Sequence, residues 1–182
     1  ISSVFSFLTI IPSNNTDLGT VARYMHVFPI IGIGIGLLIA SIGFGLSFFL
    51  EPLIVALLVV ASIAIITGIH HTDGLADFAD GLMTRGTKEK KRQAMKDLST
   101  GSAGIVSVVL SIVGVIIALS LTTGYELFQA ILLSEILAKF SMVLMASIGK
   151  SAAVGSNSPF MQIMKDKRRL MAAGVITIIP LV

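Results

Sequence analysis

Cysteine is absent from this 182-residue chain, and charged residues are scarce. Without cysteine, neither a disulfide framework nor a thiolate metal site can form. Charged residues make up 13% of the chain and hydrophobic residues 54%, whereas charged residues make up about 25% of an ordinary soluble domain. The composition therefore excludes a conventional water-soluble core, and the length predicts one domain.

The chain instead contains several long apolar runs. A helix needs about 20 apolar residues to cross the hydrocarbon core of a bilayer. The runs that qualify are 27–50, 53–70, 104–123 and 127–148, and a fifth begins near 170. The opening stretch 3–12 is too short to span and ends at Pro12, so we expect an interfacial or re-entrant piece there.

The two ends of the chain suggest a fragment. The chain opens with Ile1 rather than Met and stops inside the apolar run 171–182. We therefore expect a single integral membrane domain over 1–182 whose last transmembrane helix is truncated.

Basic residues mark one side of the predicted bundle. All 13 lysines and arginines except Lys139 fall before the first span or in the loops after the second and fourth spans. This bias predicts that those loops face the cytoplasm. The basic loops either set orientation and contact anionic lipid or bind a phosphorylated substrate, and charge alone leaves both interpretations open. Nothing in the sequence indicates nucleic-acid binding.

The stretch "HTDGLADFADGL" (71–82) places three carboxylates beside an uncharged apolar run. Asp73, Asp77 and Asp80 are spaced i, i+4, i+7, which puts them on one face of an α-helix. The residues between them are mostly apolar, so we expect the second span to continue as a helix to about Met83. The predicted fold is an all-α polytopic transmembrane helical bundle with an acidic helix at its cytoplasmic interface.

Carboxylates this close repel one another unless a cation lies among them. Oxygen ligands of this kind suit Mg²⁺, with Mn²⁺ as an alternative. Two other interpretations stay open, namely a solvated amphipathic face and the ion site of a cation transporter. Glu135 and Lys139, inside the fourth span and four residues apart, are either a functional pair or a structural ion pair.

Four segments together resemble the cobalamin synthase family, the adenosylcobinamide-GDP ribazoletransferases. They are "FLTIIP" (7–12), "RYMHVFPIIGIGIG" (23–36), "HTDGLADFADGL" (71–82) and "QAMKDLSTGSAG" (93–104). The resemblance implies a cell-membrane enzyme that joins adenosylcobinamide-GDP to α-ribazole or its 5′-phosphate. The implied products are adenosylcobalamin or its phosphate, and GMP. The active site is expected to face the cytoplasm, and the sequence leaves a homo-oligomeric state open.

The resemblance also implies roles for individual residues. Asp73, Asp77 and Asp80 are candidate catalytic residues and Mg²⁺ ligands, and Asp97 is a candidate to complete the metal shell or hold a second ion. His71 matches the family motif and is a candidate to take a hydroxyl proton or orient a ligand carboxylate; the alternative is an interfacial histidine with a local hydrogen bond. Arg23, Arg85 and Lys96 are the candidate substrate-binding cations.

The glycine-bearing stretch 99–104 opens the third predicted span. Since a helix N-terminus favours anions, its backbone N–H groups are further candidates to bind phosphate. A rival enzyme class is the CDP-alcohol phosphotransferases of lipid synthesis, but their motif needs an Arg after Ala76 that this chain lacks.

Overall fold

The computed structural model describes residues 2–12, 17–97, 99–150 and 158–181. The α-helices are α1 (Ser2–Leu8), α2 (Leu18–Arg23), α3 (Phe28–Leu46), α4 (Pro52–Thr67), α5 (His70–Met83), α6 (Lys88–Ala94), α7 (Ser102–Ser120), α8 (Gly124–Ile148), α9 (Ser158–Ile163) and α10 (Lys167–Ile178). Short 3-10 helices cover Met25–Val27 and Ile179–Leu181. The described ranges contain no strand, so the chain is an all-α polytopic membrane protein, as predicted.

Three of the predicted spans are present as helices long and apolar enough to cross a membrane. They are Met25–Leu46, Ser102–Ser120 and Gly124–Ile148. The opening segment forms only the seven-residue α1, which is too short to span, as expected. The predicted fifth span begins as α10, which has 12 residues in the described chain.

The second predicted span is not the continuous helix that the sequence suggested. The helix α4 ends at Gly68, whose φ of 71° is left-handed, and Ile69 follows with φ 63°. The axes of α4 and α5 consequently differ by 93°. A left-handed glycine is a common helix end, whereas a β-branched residue in this region is strained. The expectation of one helix from 53 to 83 is therefore wrong, and the described residues contain a fourth candidate span only if the bent pair counts as one.

Two compact helical units make up the chain. One comprises Ile1–Leu50 and Thr122–Val182, and the other comprises Glu51–Leu121. In the first unit α3 packs along α8. Its fully buried side chains include Phe28 and Ile39 from α3 and Leu127, Ile131 and Ile136 from α8.

Glycines allow α3 and α8 to approach closely. A Cβ at Gly32 would lie 2.7 Å from the Glu135 carbonyl oxygen and 3.1 Å from Lys139 Cγ. Small residues at such interfaces are typical of membrane helices, where close backbone approach drives association. Beside this contact, Lys139 Nζ donates to Glu135 Oε2 at 3.0 Å, and both residues are buried. The pair offsets two charges that would each be costly alone inside the unit.

We expect Gly32→Val to lower the free energy of unfolding by about 1–3 kcal/mol, because the added side chain must push α8 away. Gly34→Val is the matched control, since a Cβ at Gly34 meets nothing within 4 Å. Thermal unfolding in detergent, followed by circular dichroism, would compare the two variants. Equal midpoints would contradict a close packing role for Gly32.

Candidate active site on the acidic helix

The second unit is built from α4, α5, α6 and α7, and α5 carries the acidic stripe. The apolar side chains Phe78 and Leu82 are exposed along one side of α5. At about 100° per residue, Asp73 and Asp77 each lie about 140° around the helix from Phe78 and Leu82 respectively. The helix is therefore amphipathic, with its carboxylates turned away from its exposed apolar side.

Asp80 is bound by the start of α7. The backbone N–H of Gly101 donates to Asp80 Oδ2 at 2.6 Å, and that of Gly104 donates to Oδ1 at 2.8 Å. The first N–H groups of a helix have no partner within the helix, and a carboxylate there is also favoured by the helix dipole. Asp80 therefore acts as an N-terminal cap supplied by another helix, and it ties α5 to α7.

The glycines of "GSAG" (101–104) make this contact possible. A Cβ at Gly101 would lie 2.5 Å from Asp80 Oδ1, and a Cβ at Gly104 would lie 2.6 Å from Asp80 Oδ2. These distances are too short for any larger residue without a shift of α5. Two of the N–H groups that the sequence suggested for phosphate are thus bonded to Asp80 instead.

Asp73 and Asp77 have a different environment. Asp73 is exposed and Asp77 is half-buried, and neither side chain makes a hydrogen bond or ion pair within the described part of the chain. Across those same residues, no three His, Asp or Glu side chains converge as metal ligands would. The one-face spacing thus yields two carboxylates without a partner among the described residues and a third that accepts two backbone hydrogen bonds.

His71 lies at the start of α5, in an apolar cleft of about 280 Å³ within the second unit. Thr72 and Leu75 line the same cleft, together with Val108 and Ser111 from α7. Asp73 and Asp77 do not line it, so the structure separates the imidazole and the two carboxylates onto different sides of α5.

The remaining predicted site residues lie outside the acidic stripe. Asp97 accepts from the Ser99 hydroxyl at 2.8 Å and from its backbone N–H at 3.2 Å, which forms a local turn. Arg85 and Lys96 are exposed after α5 and α6 respectively. Arg23 belongs to the first unit, at the end of α2, and its carbonyl oxygen accepts a hydrogen bond from Arg169 Nη1.

The cap of α2 holds its charge at neutral pH. Asp17 accepts hydrogen bonds from the Thr20 hydroxyl at 2.9 Å and from the Thr20 N–H at 2.8 Å, and these bonds lower the pKa of its carboxyl. A carboxylate at this position is favourable because it satisfies N–H groups at the start of the helix that ends in Arg23.

Sequence reasoning missed the residues of α6 and its flank that support α5. Gly81 fits against Met95, since a Cβ at Gly81 would lie 2.3 Å from Met95 Cγ. Lys91 Nζ donates to the Leu82 carbonyl oxygen at 3.2 Å, near the C-terminus of α5, where a cation is favourable. Gly81 in the motif was a visible signal, but its neighbour could be identified only from the fold.

We expect Gly104→Ala to lower the free energy of unfolding by about 1–3 kcal/mol, because the new methyl group competes with the Asp80 carboxylate for space. Gly114→Ala, in the same helix, is the control, since nothing lies within 4 Å of its added Cβ. Alanine there should be neutral or stabilising by up to about 1 kcal/mol. Thermal unfolding in detergent separates the two, and equal effects would count against the Asp80 cap.

Comparison with known proteins bears on what this site does. A family model described as cobalamin-5-phosphate synthase matches residues 1–182. The protein named adenosylcobinamide-GDP ribazoletransferase from Methanocella arvoryzae is 34% identical over 175 residues, covering 93% of this chain and 65% of the relative. The relatives of the same name from Pyrococcus abyssi and Geotalea daltonii are 33% and 38% identical, covering 96% and 75% of this chain.

The chain spans 65% of the length of the Methanocella relative, 70% of the Pyrococcus relative and 56% of the Geotalea relative. No solved structure matches it. The matched region includes the acidic helix, the two glycines that bind Asp80 and both helical units. On this evidence the chain belongs to the cobalamin-5-phosphate synthase family.

Proposed function

We propose that this chain carries the transferase chemistry for which its relatives are named. A hydroxyl oxygen of ribazole, or of its 5′-phosphate, attacks the phosphorus bound to cobinamide in adenosylcobinamide-GDP. The bond from that phosphorus to the GMP oxygen breaks, GMP leaves with the electron pair, and the hydroxyl proton passes to a base. The product is adenosylcobalamin or its phosphate.

One observation carries this proposal. Asp73 and Asp77 lie one turn apart on α5 with their oxygens unpaired in the described chain, while Asp80 and α6 hold the helix that bears them. Displacement at a diphosphate depends mostly on positioning and charge neutralisation. A helix held near its C-terminus would supply the positioning, and its two carboxylates would supply the ligands for a cation.

The donor set fits a magnesium ion held jointly by protein and substrate. Mg²⁺ usually takes one or two carboxylates and completes its shell with water and substrate phosphates, and two carboxylates that no other described residue binds match that need. Asp73 and Asp77 would hold the ion, and Asp80 would orient α5 through its bonds to Gly101 and Gly104. When bound, the ion would neutralise charge on the diphosphate and on the leaving GMP.

Other polar side chains of the chain are candidates for the base and for the phosphate-binding cations. His71 is the candidate base, because an imidazole titrates near neutral pH and the residue lies in the same unit as the acidic helix. Arg85 and Lys96 are exposed in the same unit as the acidic helix, and they are the candidate cations for phosphate. Arg23 is the candidate cation of the first unit.

Membrane association fits this chemistry, since the apolar spans would keep the site near a bilayer. We propose that the acidic helix faces the cytoplasm, on the side of the basic loops. The family membership and the Asp73–Asp77 pair favour this transferase over a cation transporter, and the missing Arg after Ala76 disfavours a CDP-alcohol phosphotransferase.

The full-length protein in nanodiscs, supplied with Mg²⁺, adenosylcobinamide-GDP and α-ribazole phosphate, should release GMP only when the acceptor is present. EDTA should abolish release. Asp73→Asn and Asp77→Asn should each lower kcat by about 100-fold or more, since even partners of metal ligands contribute 10- to 100-fold. Chromatography of GMP and the corrinoid product measures the rates.

Electron paramagnetic resonance of bound Mn²⁺ gives an independent readout of the same two variants, which should bind the ion more weakly. Glu51→Gln is the matched control, because Glu51 lies in the same unit and its side chain makes no cap hydrogen bond. Folded protein without acceptor-dependent GMP release would overturn the proposed reaction. Undiminished Mn²⁺ binding in both variants would overturn the proposed ligands.

A separate prediction concerns the candidate substrate-binding cations Lys96 and Arg85. Lys96→Ala and Arg85→Ala should each raise KM for adenosylcobinamide-GDP by about tenfold, which corresponds to one lost charge-assisted contact. Lys90→Ala, in the same basic loop and equally exposed, should leave KM nearly unchanged. An equal rise in all three variants would mean that the loop attracts substrate by its net charge and not by specific contacts.

A further inference from the structure

The first unit contains a cavity that none of the residues assigned a role above lines. Its volume is about 340 Å³, within the range of pockets that hold small molecules. It lies where α1 and the start of α3 meet the end of α8 and the start of α9. The segment 7–12 was part of the family resemblance, and its first residue, Phe7, lines this cavity.

One wall of the cavity is aromatic. The ring of Phe7 lies 6.1 Å from that of Phe28 and 5.5 Å from that of Phe160, measured between centroids, with interplanar angles of 33° and 30°. Phe7 is held in this position because Val4 and Leu8, on the same short helix, are fully buried. The rings come from three segments that are far apart in sequence, so the wall is assembled by the fold.

Methionines supply most of the remaining surface. Four of the chain's eight methionines line the cavity, namely Met25, Met142, Met145 and Met161. Thioether side chains adapt to the outline of a ligand and make favourable contacts with the edges of aromatic rings. Together with three phenylalanines, they form a surface suited to a flat aromatic ring.

One cation completes the site. Among the described residues that line the cavity, Lys150 alone is charged, and it is exposed at the end of α8. A lysine at the edge of an apolar pocket binds a phosphate as a point charge. The lining therefore fits a flat apolar ring that carries an anionic group such as a phosphate.

We propose that this cavity binds the benzimidazole base of ribazole phosphate, with Lys150 paired to the phosphate. The assignment rests on the proposed function, which makes ribazole the acceptor. An anionic lipid shares the combination of apolar body and phosphate. A lipid chain, however, needs only an apolar surface, which α7 already exposes along most of its length, whereas the grouping of aromatic and thioether side chains favours a ring.

Direct binding to the full-length protein in nanodiscs tests the assignment. Equilibrium dialysis would measure Kd for α-ribazole phosphate and for α-ribazole without phosphate. Met161→Trp fills the cavity and should raise both Kd values by about tenfold or more, equivalent to one well-made contact. Met171→Trp is the matched control, because Met171 is exposed on α10 and does not line the cavity.

Lys150→Ala separates the phosphate from the base. This exposed substitution should raise Kd for α-ribazole phosphate by about tenfold and leave Kd for α-ribazole unchanged, whereas Lys165→Ala should change neither. Unchanged acceptor binding in both cavity variants would overturn the proposal. So would native mass spectrometry showing a phospholipid in the cavity that α-ribazole phosphate does not displace.

The experiments can refute the proposed reaction and the proposed acceptor site independently. If α-ribazole phosphate binds and both cavity variants weaken it, but no condition yields GMP, the proposed reaction falls and the site stands. If the wild-type protein releases GMP and both variants keep the acceptor KM, the site falls and the reaction stands. Binding of adenosylcobinamide-GDP, unchanged in both variants, reports that they remain folded.

Discussion

Two backbone N–H groups at the start of α7 donate to the carboxylate of Asp80, and the arrangement of the second unit depends on this contact. Gly101 and Gly104 cannot carry side chains without displacing that carboxylate. At the start of α5, by contrast, Ile69 has a left-handed φ and makes no side-chain cap hydrogen bond. The Asp80 contact, together with the packing of Gly81 on Met95, determines where the other two carboxylates lie.

The three aspartates are regularly spaced along one helix, but their carboxylates therefore have different roles. Asp80 satisfies donors that would otherwise be buried unpaired, and leaving such a donor unsatisfied costs about 1–3 kcal/mol. Asp73 and Asp77 satisfy nothing in the described chain, so a cation would cost them no protein contact. In the proposed function, a magnesium ion on these two carboxylates would need substrate oxygens to complete its shell, which would link metal binding to the arrival of the diphosphate.

The sequence sufficed for the helical fold because apolar runs of about 20 residues have few other solutions in a membrane. It predicted the spans at Met25–Leu46, Ser102–Ser120 and Gly124–Ile148 and one face for the aspartates. It did not predict the bend after Thr67, because the apolar periodicity continues past Gly68 and a glycine inside an apolar run is common in membrane helices. Nor did it predict the cap, because Asp80 and Gly104 are 24 residues apart and nothing local pairs them.

The spans could be recognised in the sequence, whereas the partners of the polar groups at helix ends could not. Burial explains this difference. A membrane span must form its backbone hydrogen bonds within its own helix, so the apolar pattern that identifies it involves only neighbouring residues. The polar groups left over at helix ends must find partners elsewhere, as Gly101 and Gly104 do in Asp80 and as the Leu82 carbonyl does in Lys91. In an apolar fold these end contacts are few and individually costly to lose. They therefore decide the geometry of α5, and with it which carboxylates are left to bind a ligand.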